Sequence, residues 1–143
     1  MLYFRIMSKL LAIDYGQKRV GIAVTDNEQI IASGLTTVHS KDVLSFLEDY
    51  LRHEEVECFV VGEAKNLDNS PSESARFIEP FVKKLAKTFP NVNIVRVDER
   101  FSSKIAFQTM IDAGLNKKTR RDKSLVDKVS ATIILQSYLE SRS

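Results

Sequence analysis

The chain has 143 residues, of which 43% are hydrophobic and 28% charged, with 21 Lys and Arg against 19 Asp and Glu for a formal net charge of +2. This length suits one domain over residues 1–143 with its own core, and the composition is that of an ordinary globular protein with no apolar run long enough to span a bilayer. Charge so nearly balanced leaves any affinity for a polyanion to local clustering.

The first seven residues, Met1 to Met7, are apolar but too short for a signal-peptide core, so they read as a ragged start with Met7 a candidate initiator and a cytoplasmic location expected. Leu10-Leu11-Ala12-Ile13 is then a buried strand that ends on Asp14, followed by Gly16 and by a second apolar run from Val20 to Thr25. A carboxylate at the tip of a buried strand is costly to ionise unless a cation or polar ligand meets it. The competing reading is that Asp14 merely opens a turn, for which Asp-x-Gly is a common device. Ile30 to Val38, broken by Gly34, completes a three-stranded meander.

Ser40 is expected to cap a helix whose Val43, Phe46, Leu47, Tyr50 and Leu51 fall on one face. The segment from Glu57 to Gly62 reads as a strand buried on both faces and, being reached through a helix, parallel to the first. It contains Cys58, the one cysteine, for which a packing role in a reduced compartment is expected. Ser70-Pro71-Ser72-Glu73 then combines a cap, a first-position proline and a glutamate three residues on, opening a helix toward Phe89 in which Pro80 should introduce a kink. Asn93 to Asp98 is a fifth strand, a helix capped by Ser102 or Ser103 ends at Gly114, and a last helix runs from about Ser124 to Glu140. This order fits an α/β fold with a mixed sheet, the first strand central, helices on both faces and ligands at the carboxyl ends of the parallel strands.

Three acidic positions break local apolar patterns: Asp14, the pair Asp98-Glu99, and Asp127, which lies beside Val126, Val129, Ser130 and Ala131 in the last helix. The small residues there would let the helix approach the sheet and turn Asp127 inward; the alternative is an acid interacting with its own helix dipole. Carboxylates converging in a half-buried pocket repel unless divalent cations neutralise them, and oxygen-only ligation selects Mg²⁺ or Mn²⁺. One or two such ions would support in-line hydrolysis of a phosphodiester without histidine. Only His39 and His53 are present, neither in ligand spacing with Cys58, which removes zinc sites and disfavours a Ser-His-Asp triad. Candidate phosphate-binding cations are Lys18, Arg19, Arg100, Lys117, Lys118, Arg120, Arg121 and Lys123, although a basic loop is as often plain solvated surface.

With Asp14-Tyr15-Gly16-Gln17-Lys18-Arg19-Val20-Gly21, Asp98-Glu99-Arg100 and Asp127 assembled, the chain resembles the YqgF family, also called RuvX, over nearly its whole length. The resemblance implies an RNase H-like five-stranded sheet in the order 3-2-1-4-5, related to Holliday junction resolvases. It implies a nuclease maturing the 5′ end of pre-16S rRNA, with branched DNA the older proposal for its substrate. It also implies Asp14, Asp98 or Glu99, and Asp127 as catalytic acids, with Asp14, Glu99 and Asp127 the metal ligands. Which of Asp98 and Glu99 turns inward is open, since alternation along a strand allows only one. Where the family commonly reads Gly-Leu-Pro, Gly62 is here followed by Glu63 and Ala64; Glu63 is either an extra acid or a solvated loop residue, and Asn66 and Asn69 shape the turn or touch substrate. The protein is expected to act as a monomer or homodimer on nucleic acid, away from membranes. A non-catalytic nucleic-acid-binding module is the main alternative, discriminated by carboxylate-dependent Mg²⁺ binding. A phosphotransferase is disfavoured because one lobe of this size could not enclose a nucleotide.

Overall fold

Five strands form one sheet in the order β3-β2-β1-β4-β5. The computed structural model describes residues 8–63, 74–98, 108 and 122–142, and the elements within them are β1 (Lys9–Tyr15), β2 (Arg19–Thr25), β3 (Ala32–His39), α1 (Val43–His53), β4 (Val56–Glu63), α2 (Ala75–Thr88), β5 (Asn93–Asp98) and α3 (Lys123–Arg142). The meander β1-β2-β3 is antiparallel, whereas β4 pairs parallel with β1 and β5 parallel with β4. The central strand is therefore β1, as the alternation of strands and helices predicts, because each return through a helix brings the chain back in the same direction.

Alternation along the strands splits the core between two faces. On one, Leu11, Ile13, Val20, Ile22, Phe59 and Val61 pack with Val43 and Leu47 of α1 and Ile78, Phe81 and Leu85 of α2. On the other, Leu10, Ala12, Ala23, Cys58 and Val60 meet Ala131, Ile134 and Leu135 of α3. Ala12 of β1 and Ala23 of β2 are small where they face α3, and this brings the helix close to the sheet. Fully burying each large side chain, such as Phe59 or Leu135, contributes roughly 1.5–3 kcal/mol.

The local details depart from expectation in two places. The strand β3 starts at Ala32 rather than Ile30, and Ile30 and Ile31 are left 63% exposed in the β2–β3 connection. There Asp26 holds the loop by accepting from the amides of Ile30 and Ile31 through Oδ1, both at 2.8 Å. Ser40 does not cap α1. His39 Nδ1 accepts from Lys41 N at 3.1 Å to start a short 3₁₀ turn over Ser40–Asp42, while Ser40 Oγ donates to Gln17 O at 2.7 Å. The last helix begins at Lys123, capped by Asp122, whose Oδ1 accepts from Ser124 N at 3.0 Å. The N-terminal signal over residues 70–73 and the helix expected to end at Gly114 lie outside the described residues. Among the described residues no helix is long and apolar enough to cross a membrane.

Candidate metal centre at the carboxyl edge of the sheet

Asp14 stands one residue before the end of β1, half-buried, with Gly21 of β2 directly across the ladder. Cross-strand partners present their side chains to the same face, and Leu10 and Ala12, four and two residues earlier, belong to the core under α3. Asp14 therefore faces α3. Gly21 faces it too, and a Cβ at Gly21 would sit 2.0 Å from the backbone oxygen of Asp127. Only a residue without a side chain lets α3 lie this close. Gly21 is thus the seat on which Asp127 is set next to Asp14.

The start of α3 is fixed from two further sides. Asp122 caps it, and Thr37 Oγ1 of β3 donates to Ser124 O at 2.6 Å. Asp127 then falls beyond the first helical turn, where the helix dipole has faded. Its side chain, 21% exposed, accepts instead from Arg19 Nε at 2.7 Å. Gly16 makes this possible by keeping the β1–β2 turn tight: its amide donates to Arg19 O at 3.0 Å, and a Cβ there would meet that oxygen at 2.6 Å. The spacing Asp-x-Gly-x-Lys-Arg-x-Gly thereby acquires a physical reading: an acid, a tight turn, a cation for the distant acid and a seat for the helix that carries it.

The other expected residues distribute as follows. Lys18, beside Arg19, and Lys123, one turn before Asp127, are exposed on the same edge. Asp98 closes β5 in register with Glu63 of β4. Val95 and Val97 join the core under α3, whereas Ile94 packs on the α1–α2 side. There too Arg96 donates to Glu79 of α2 through Nη1 at 2.8 Å and Nη2 at 2.9 Å. Alternation thus places Asp98 and Glu63 on the face opposite Asp14. Glu63 is the last residue of β4 rather than part of a loop. Glu99, Arg100, Lys117, Lys118, Arg120 and Arg121 lie outside the described residues, as do Asn66 and Asn69. Among the described residues no three His, Cys, Asp or Glu side chains cluster tightly enough to hold an ion. Asp14 and Asp127 supply two hard oxygen donors to one face, and a guanidinium already serves as cation at one of them, so the donor set suits a divalent oxygen-seeking metal rather than zinc. Sequence reasoning missed Gly21, Thr37 and Asp122 as positioning residues. Asp122, an acid one residue ahead of an apolar helix, and Gly21, a glycine inside an apolar strand, left signals that could have been read, whereas Thr37 left none.

Comparison with known proteins adds to this geometry. Residues 8–141 match a family described as "RuvX: Holliday junction resolvase". A protein of Flavobacterium psychrophilum is 59% identical over 93% of this chain and 97% of its own length, and one of Flavobacterium johnsoniae 55% identical over 95% and 99%. One of Bacteroides fragilis is 53% identical over 95% and 99%. All three carry the name "Putative pre-16S rRNA nuclease". Among solved structures, Thermus thermophilus RuvC in complex with a Holliday junction substrate superposes with a TM-score of 0.55 at 16% identity, covering 94% of this chain and 95% of that one. That likeness establishes the RNase H-like fold.

Proposed function

The chain belongs to the RuvX family, and from that membership we propose that it is a metal-dependent endonuclease that processes the 5′ end of pre-16S rRNA in the cytoplasm. The relatives' name supplies the substrate. The observation that carries the chemistry is the pairing of two half-buried carboxylates, Asp14 and Asp127, on one face of the sheet across Gly21.

Asp14, Asp127 and Glu99 would hold Mg²⁺ or Mn²⁺. Glu99 is preferred over Asp98 because Asp98 ends β5 on the face opposite Asp14. When bound, a divalent ion supplies Lewis-acid polarisation of a phosphate oxygen and lowers the pKa of water near it. Asp14 is held rigidly by its place within the β1–β2 ladder, so it costs little reorganisation to present its oxygens. Arg19 covers Asp127 in the protein alone. With that carboxylate otherwise engaged, the guanidinium is placed to take a phosphate oxygen bidentately. Lys18 and Lys123 add positive charge on either side of the same edge.

The test is incubation of a pre-16S rRNA transcript with wild type and with Asp14→Asn in Mg²⁺. Wild type should shorten the 5′ end and the variant should not; equal processing by both overturns the reading. The family description favours a second substrate, a four-way DNA junction, and the same two proteins assayed on a synthetic junction decide between RNA and branched DNA.

A further inference from the structure

On the face of the sheet away from α3, a recess of about 270 Å³ opens between the start of α1 and the side of α2. We propose that it binds an unpaired nucleotide of the strand whose phosphate lies beside Asp14, a proposal that rests on the nuclease reading above. Its apolar wall is aromatic. Tyr15 stacks on Phe81 with ring centroids 4.2 Å apart and planes 14° from parallel, and Phe77, one turn earlier on α2, is half-buried beside them. The rim carries Lys41 and Lys84, both exposed, and among the described residues none that lines the recess is acidic.

Three properties together select a nucleotide. Half-buried Tyr15, held by its stack on the buried Phe81, and half-buried Phe77 offer flat ring surface to a base whatever its identity, and lysines at the rim take its phosphates. The volume falls just below the about 300 Å³ at which pockets for larger organic ligands begin, which suits one base with its sugar. The third is position. Tyr15 follows Asp14 directly, so the two Cα atoms lie about 3.8 Å apart and their side chains leave opposite faces of one strand end. A chain crossing that edge meets the carboxylate on one side and the rings on the other. Ser40, also lining the recess, donates through Oγ to Gln17 O at 2.7 Å and through its amide to Lys18 O at 3.0 Å. This ties the rim to the turn bearing Lys18 and Arg19. Lys18 and Arg19 lie on that turn, and Lys41 and Lys84 on the rim joined to it.

The experiment measures binding of a short fluorescein-labelled single-stranded RNA by anisotropy in EDTA, where cleavage is blocked. Lys41→Glu combined with Lys84→Glu should lose at least about tenfold in affinity and flatten the dependence of log affinity on log salt by about two contacts. Phe77→Leu, which preserves apolar volume but not the ring, should lose roughly fivefold. RNA carrying 5-bromouridine should crosslink under ultraviolet light to the peptides containing Tyr15 or Phe77. Unchanged affinity in both variants, or loss on charge reversal with no effect of Phe77→Leu and no adduct at either ring, overturns the proposal. If wild type cleaves pre-16S rRNA and both variants bind as it does, the recess fails and the nuclease reading stands. If the variants bind poorly and the rings crosslink but wild type cleaves nothing, the recess stands and the nuclease reading fails.

Discussion

Arg19 and Asp127 are 108 residues apart in the chain and 2.7 Å apart in space. The arginine side chain is 43% exposed, so the pair adds little to stability, about 1 kcal/mol at most. Its consequence lies in competition: a guanidinium on Asp127 must be displaced before a divalent ion can use that oxygen. Arg19→Ala should therefore leave the melting temperature within a few degrees of wild type and tighten Mn²⁺ binding several-fold in calorimetric titration, while weakening binding of RNA. Unchanged or weaker Mn²⁺ affinity would show that Arg19 is no rival for the site. Cys58 offers a simpler check. Burial within β4 pushes its thiol up to about 11, with Glu57 adding to the shift, so it should resist iodoacetamide at pH 8 in the folded protein and react in denaturant. Asp14 and Asp127 were legible in the sequence because each interrupts an apolar pattern. Arg19 was legible only as a cation, since no local pattern reveals a partner so distant along the chain.

At the scale of elements, the seating of α3 on β2 decides whether the two acids meet. Gly21→Ala would drive a Cβ into the Asp127 carbonyl and should cost about 3 kcal/mol, read as a lower denaturation midpoint, with loss of cleavage in the fraction that stays folded. Gly34→Ala is the control, because the atoms it would meet belong mainly to the side chain of Lys128, which can swing aside. Ser130 lies in the same seam with its hydroxyl buried and without a hydrogen-bond partner among the described residues. Replacing it by alanine should be neutral or stabilising by about 1 kcal/mol in the same denaturation experiment. Element existence followed from apolar periodicity, which is why β5 and the core of α1 fall where the sequence puts them. The ends did not follow as well. Ser40 has the chemistry of a cap, yet its hydroxyl is taken by Gln17 O, a contact made only once β1 and β2 have paired.

The whole molecule depends on parallel strands ending along one edge, and part of what holds that edge is electrostatic. Arg96 spans from β5 across β4, donating to Gly62 O at 3.2 Å, and reaches Glu79 on α2. The arginine hydrogen bond holds the Glu79 carboxyl below its ordinary value of 4.5. Hydrogen bonds from the amides of Ile31 and Ile30 likewise hold Asp26 below its ordinary 3.8. A carboxylate lowered on folding contributes stability above its unfolded pKa and loses it as pH falls through the folded value. Arg96→Gln should therefore destabilise the protein near neutrality and make its stability less sensitive to pH below about 4.5, as followed by urea denaturation across that range. The strand order 3-2-1-4-5 came from the family resemblance, whereas the central place of β1 and the parallel return of β4 followed from chain connectivity. The allocation of Asp98 and Glu63 to the far face was not, because it turns on register, and a one-residue shift exchanges the faces.

The account stands on Asp14 and Asp127 sharing one cation. The most direct measurement is anomalous diffraction from crystals soaked in Mn²⁺. It should show density within coordinating distance of both carboxylates, with the Arg19 guanidinium withdrawn from Asp127. Manganese bound only elsewhere, or none at all with Arg19 still on Asp127, would contradict it.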